Sequence, residues 1–252
     1  MRTNQLQSIG VVCTTLLTLT INYLANALPL NGQTSAMVSA KYPTYFTPAG
    51  FAFSIWGVIY LGLIAFTVYQ ALPAQIDNQK LVKIRKWVML NGLCNAAWLP
   101  LFHYEYIPAS MVVMVALLFT LVQINIIFSQ ELAKTTTEKW LIGVPFSIYW
   151  GWVCVASVVN VAVLLTTTTW FGFGITAPVW SVIMIIVATG IGLWAYFKIP
   201  NLAYILVFVW ALFAISKMQA DTVIVAKTAL IAAGTIGLVI VLRSMKVLPK
   251  SV

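Results

Sequence analysis

The sequence predicts an all-α fold: a polytopic integral membrane helical bundle of about eight transmembrane helices. Three observations predict it. Hydrophobic residues make up 62% of the chain and charged residues only 8%, whereas a soluble domain carries about 25% charged residues. Long apolar runs recur over 8–30, 49–72, 87–102, 107–129, 140–165, 178–197, 201–216 and 222–242. Most reach the ~20 residues that cross ~30 Å of hydrocarbon. No run alternates apolar with polar residues as a membrane β-barrel strand must, which leaves the helix as the spanning element.

Charge sets the expected orientation. With eight spans, one side of the membrane receives Arg2, Lys80, Lys83, Arg85, Lys86, Lys134, Lys139, Lys198, Arg243, Lys246 and Lys250, and the other only Lys41 and Lys217. Basic residues gather on the cytoplasmic side, so both termini are expected there. Topology and lipid headgroups account for the net charge of +9; no nucleic-acid partner is expected. Lys227, inside the last run, is placed to snorkel toward the interface. Cys13, Cys94 and Cys154 have spacings that fit neither a disulfide framework nor a metal motif. They are expected to be small apolar packing residues.

Taken in order, the first run carries Arg2 and ends at Ala25-Asn26-Ala27, which imitates a signal peptide. It is longer than the usual signal-peptide core and is read as a retained span. The stretch KYPTYFTPAGFAFSIWGVIYLGLIAF over 41–66 enters the second span through Pro43 and Pro48. Proline fixes its own φ and biases the preceding residue to extended backbone. A stiff segment carrying Tyr42, Tyr45 and Phe46 is therefore expected as the lid and upper wall of a pocket. In the second span Phe53, Trp56 and Tyr60 share one helix face. In the third, Trp87, Asn91, Asn95, Trp98 and Phe102 do the same. Gln123 and Asn125 of the fourth are expected to bond between helices. Pro145, Tyr149, Trp152, Ala156 and Asn160 line one face of the fifth. The uncharged connection TTTTWFGFGITA over 166–177 divides a five-helix unit, 1–169, from a three-helix extension, 170–252.

Asparagine in hydrocarbon must face protein or trapped water, so these stripes point inward with their tryptophans. Two readings follow. The stripes are packing seams with asparagine as interhelical glue, or they line a pocket for a bulky planar apolar ligand. Trp87, Trp140 and Trp170 suit interfacial anchoring; Trp56, Trp98 and Trp152 are expected at similar depth, toward the outer half.

The pattern resembles the translocator protein / tryptophan-rich sensory protein (TspO/MBR) family. The resemblance is carried by Pro43, Pro48, Trp56, Gly57 and Tyr60, then by Asn95, Trp98, Pro100 and Phe102, then by Trp152, Ala156 and Asn160. It covers about 8–165. Pro145 stands three residues earlier than the family's proline, and 170–252 has no counterpart in the usual five-helix chain. The resemblance implies a helical bundle, commonly a homodimer, that binds a tetrapyrrole such as porphyrin or haem, with the first loop closing over the pocket. The helix faces, the lid and the resemblance together give an expected ligand-binding set of Pro43, Tyr45, Phe46, Pro48, Phe53, Trp56, Tyr60, Asn95, Trp98, Phe102, Tyr149, Trp152, Ala156 and Asn160.

No catalytic residue is expected. Glu105 is the sole acid in its turn, and no Ser-His-Asp, Cys-His or metal-ligand cluster occurs. The single histidine, His103, is either an axial ligand to haem iron or a locally bonded group; no metal site is expected otherwise. Lys41 is read as a headgroup contact or a partner for a propionate. The functional expectation is a receptor or carrier for a planar hydrophobic ligand, for which the resemblance implies bound porphyrin or haem with no required cofactor, sensing stress or tetrapyrrole level. The alternatives are a transporter of another small apolar solute and an assembly subunit of a membrane complex. The expected setting is a bacterial-type plasma membrane or an internal photosynthetic membrane, with the lipid bilayer as the general partner.

Overall fold

The computed structural model describes residues 2–28, 30–42, 44–131, 134–168 and 172–247. Pro43, Trp170 and Lys250 lie outside them, as does the side chain of Arg2. Among the described residues there are helices and no strands.

Helix α1 (Arg2–Ala27) inverts the logic of a soluble helix. Ser8, Val11, Thr15, Thr18, Asn22 and Ala25 are buried, while Leu6 and Leu16 are 67% and 58% exposed. Offsets of 0, 3, 7, 10, 14 and 17 form one face of a 3.6-residue helix. Polar groups point inward and apolar groups outward, the arrangement that hydrocarbon demands. Cys13 faces outward as well, so it is not the packing residue the sequence suggested.

Just before the segment expected as a stiff loop stands a short helix that was not anticipated, α2 (Ser35–Lys41), capped by the Thr34 side chain on the Met37 amide. Extended backbone resumes at Tyr42 (φ −100°, ψ 113°), as the residue before a proline requires. Next comes α3 (Ile55–Ala71), entered through a 3₁₀ turn at Gly50–Ser54. Helix α4 (Gln79–His103) is capped by Asn78, and α5 (Ile107–Gln130) opens with proline in its first turn, where a missing N–H costs nothing.

A three-residue helix, α6 (Thr136–Glu138), begins with a Thr135/Glu138 capping box. It runs through a π turn at Lys139–Gly143 into α7 (Val144–Thr166). Pro145 has no N–H to offer the preceding turn, and the wider π turn sits immediately before it. Three further helices follow: α8 (Ala177–Lys198), α9 (Leu202–Met218) and α10 (Val223–Ser244).

Six of these helices are long and apolar enough to cross a membrane, and α7, with its leading turns, is the most enclosed. Helix α4 has 25 residues, with Lys80, Lys83, Arg85 and Lys86 gathered in its first two turns. The short run anticipated over 201–216 is α9, 17 residues and about 26 Å long at 1.5 Å per residue. The protein is a polytopic integral membrane bundle.

Helix α1 packs on α3 and α4, α4 on α5, α5 on α7, α7 on α9, and α10 on both α8 and α9. Two glycines permit close approach of α7 to its neighbours. A Cβ at Gly62 of α3 would stand 2.8 Å from the Pro145 Cβ, and one at Gly151 of α7 would stand 2.7 Å from the Tyr204 carbonyl oxygen of α9. Helix α9 is thus docked on α7 through its backbone, and α10 packs in turn on α9 and α8. Trp150 and Tyr204 meet beside it, their ring centroids 4.1 Å apart and their planes tilted by 31°.

At the end of the bundle that carries the basic loop, Arg85 is fully buried. Its Nε donates to Gln70 Oε1 (3.0 Å), Nη2 to the Gln70 and Gln75 carbonyls (3.0 and 2.9 Å), and Nη1 to Ile76 (2.6 Å) and, longer, Asn4 (3.4 Å). One guanidinium therefore satisfies the carbonyls left open where α3 ends. Lys80–Glu138 and Lys83–Glu131 ion pairs tie α4 to the α5–α7 connection. Lys217 lies over Phe213, and α9 ends before Asp221.

Candidate functional site

Helices α3, α4 and α7 bring three indoles to one depth. The Trp56 ring centroid is 6.5 Å from that of Trp98 and 6.4 Å from that of Trp152, the first pair stacked and the second edge-on. Tyr60 stacks on Trp56 at 5.5 Å, Phe102 on Trp98 at 5.1 Å, and Phe53 meets Trp152 edge-on at 5.7 Å. Such offset and perpendicular geometries are the favourable ones for aromatic pairs.

A cavity of about 30 Å³ lies among these rings. Pro48, Phe53, Trp56, Trp98, Phe102, Trp152, Ala156 and Asn160 line it, together with Ser39, Val155 and Val159. Drug-sized ligands occupy pockets of roughly 300–1,000 Å³, so this site is collapsed: its rings rest on one another.

Other expected site residues do not line the cavity, although Tyr149 still meets Trp56 edge-on at 5.8 Å. Asn95 and Tyr149 belong to a polar chain between helices: Tyr60 Oη donates to Asn22 Oδ1, Asn22 Nδ2 to Asn95 Oδ1 (2.7 Å) and Asn95 Nδ2 to Tyr149 Oη (2.6 Å). Asn125 likewise joins α5 to α7, donating to the Phe146 carbonyl and accepting from Ser147 Oγ. Phe46 is buried in the core. Tyr45 faces a larger, partly open cavity of about 300 Å³ between the lid, α7 and α8, with Leu165, Trp180 and Met184. Pro43 lies outside the described residues.

The lid is held at the end of α4 and the turn that follows, by His103 and Glu105. Glu105, in the α4–α5 turn, accepts from Lys41 Nζ (2.6 Å), Tyr42 Oη (2.9 Å) and Gln33 Nε2 (2.9 Å). Its backbone turns through the left-handed region (φ 61°), which non-glycine residues seldom enter. These three donors hold its carboxyl well below the usual range, at about 2. Partial burial and the bond to Glu105 push the Tyr42 hydroxyl up to about 12, so it remains a donor. His103, fully buried, has Nε2 2.9 Å from Ser35 Oγ, and its carbonyl accepts from Asn31 and Gln33. Lys41 and His103 both act in holding α2 down.

Ser39, Val155 and Val159 were not anticipated. The valines stand three and seven residues beyond Trp152 and were legible from helix periodicity. Ser39 depended on α2 forming, and Glu105 on a contact 64 residues distant in sequence from Lys41; neither leaves a local signal.

Fold and site together define a multi-pass membrane protein with an aromatic, lid-covered cavity between its helices. A family model described as TSPO-like protein matches residues 8–242, and the chain belongs to that family. The match runs through α8, α9 and α10. Neither the curated proteins nor the solved structures yield a match. The family is one of membrane ligand-binding proteins.

Proposed function

We propose that this protein is a membrane-embedded receptor or carrier for a flat apolar ligand held among Trp56, Trp98 and Trp152, and that a tetrapyrrole is such a ligand. The carrying observation is the convergence of three indoles from three helices on one cavity beneath a latched lid. Large apolar faces with a few amides suit a planar ring system. Binding requires the lid to lift and the stacked rings to part, because about 30 Å³ admits no macrocycle. The basic end of α4 stands opposite His103 and the lid, which supports a lid on the extracytoplasmic face and both termini in the cytoplasm.

Protoporphyrin titrated into the full-length protein in lipid nanodiscs should quench tryptophan fluorescence saturably. Trp56→Ala and Trp152→Ala should each weaken binding at least about tenfold, roughly 1.4 kcal/mol. Unchanged affinity in both variants would remove the site from these rings. Flux of the ligand into proteoliposomes separates carrier from receptor.

A further inference from the structure

The basic end of the bundle holds a separate cavity, far from the lid. It measures about 480 Å³ and lies where α5 and the turns leading into α7 meet the connection between α8 and α9. That volume falls within the range that small-molecule sites occupy. Lys134 and Lys139 make part of its wall cationic, while Phe128, Val144, Ile199 and Leu202 make the rest largely apolar.

Neither lysine has a carboxylate in ion-pair range among the described residues. The two neighbouring acids are taken by α4 instead, Glu131 by Lys83 (2.7 Å) and Glu138 by Lys80 (2.8 Å). Lys134 Nζ donates to the Ser129 carbonyl (2.9 Å) and lies over the Phe128 ring, so only one of its three N–H donors is spent. Partial burial lowers the Lys134 pKa; Glu131 opposes that, and the like charge of Lys139 adds to it. An anion set between two ammonium groups relieves such repulsion.

Depth identifies where the anion comes from. Trp140, next to Lys139, is 66% exposed, as suits an indole resting among headgroups. The two lysines therefore stand at headgroup level, and the wall formed by Phe128 and Val144 runs from there into the spans.

We propose that this cavity receives a phospholipid of net negative charge, its phosphate held between Lys134 and Lys139 and an acyl chain laid along Phe128 and Val144. Basic pockets between helices on the cytoplasmic side take anionic headgroups in this way. The occupant touches α5, α7 and the α8–α9 connection at once, and so ties the last helices to the rest of the bundle.

Phosphatidylglycerol, phosphatidylcholine and glycerophosphate, each titrated onto the delipidated full-length protein in detergent, test the assignment. They offer an anionic lipid, a zwitterionic lipid and the same phosphate chemistry without chains. Native mass spectrometry counts the bound molecules, and the melting temperature reports stabilisation by whatever binds the folded state. Phosphatidylglycerol should bind saturably, raise the melting temperature, and bind at least about tenfold more tightly than either of the others. Lys134→Gln and Lys139→Gln should each weaken it about fivefold, the effect of one basic residue facing anionic lipid. Lys86→Gln, at the same end but outside the cavity, should leave it unchanged. Lys139 is exposed, so its variant stays readable should Lys134→Gln fold poorly. An equal loss in Lys86→Gln would show diffuse attraction to basic charge and overturn the site. Phosphatidylcholine binding as tightly would overturn the need for net charge, and glycerophosphate binding as tightly would overturn the lipid in favour of a soluble phosphate. Absence of saturable phosphatidylglycerol binding would overturn the assignment outright.

Discussion

The Trp56 and Trp98 rings lie 6.5 Å apart with their planes 29° from parallel, one carried by α3 and the other by α4. Each is backed by a second stacked ring, Tyr60 behind Trp56 and Phe102 behind Trp98. A flat ligand entering here exchanges ring-on-ring contact for ring-on-ligand contact, so the apolar term is largely balanced before binding begins. Under the proposed function the lid governs access, and Glu105 and His103 hold it.

Glu105→Gln should loosen α2. The substitution keeps the shape but removes the charge that Lys41 and Tyr42 address, and charge-assisted bonds are roughly twice as strong as neutral ones. Hydrogen exchange of the α2 amides should accelerate by about tenfold or more while the spans remain protected. Unaltered exchange in α2 would mean that the lid is held elsewhere.

Acid should act in the same direction. The Glu105 carboxyl titrates at about 2 when latched, against an ordinary 4.5. A depressed native value stabilises the closed state above the ordinary one, and that contribution is lost as pH falls from about 4.5 toward 2. Exchange in α2 should rise over that window in the wild type and stay flat in Glu105→Gln.

The polar chain through Asn22 and Asn95 should behave as one unit. Either asparagine changed to alanine leaves its partner's amide unmatched inside the bundle, at about 1–2 kcal/mol. The double variant should cost less than the sum, a coupling of roughly 0.5–1.5 kcal/mol in a cycle of unfolding in detergent. Additive losses would show that the two do not bond.

Arg85→Met should destabilise by at least about 3 kcal/mol, because several buried carbonyls lose their donor together. Arg85→Lys should not rescue it, since an ammonium cannot span the fork that a guanidinium fills. The readout is the fraction of monodisperse protein after heating in detergent.

Gly151→Val tests how the last three helices are held. Its side chain would run into the Tyr204 carbonyl and Val207, overpacking of the kind that costs about 1–3 kcal/mol. Melting should fall, and protease sensitivity should appear first between α7 and α8. Wild-type melting in Gly151→Val would place the docking contact elsewhere.

The inward stripes were readable because helix periodicity and the cost of a buried amide both point one way. Phe53, Trp56, Trp98, Phe102, Trp152, Ala156 and Asn160 do meet at one cavity. Asn95, Tyr149 and Tyr60 lie on the same faces yet are spent on bonds between helices. Periodicity gives a side chain's direction but not its depth-matched neighbour. The proline segment from Tyr42 to Pro48 is free of helix among its described residues, as its prolines require; what the sequence reading did not anticipate is the short helix α2 just before it, capped by Thr34.

By itself, the sequence determined that this chain lives in a bilayer, how many long helices it forms and which faces turn inward, since hydrophobicity and 3.6-residue periodicity act locally along the chain. Only the tertiary structure decided that the indoles touch, that the space among them is nearly closed, and that Glu105 gathers Gln33, Lys41 and Tyr42. Those facts depend on distances between residues far apart in sequence, set by how closely glycine-bearing helices approach one another, and no local pattern encodes that approach.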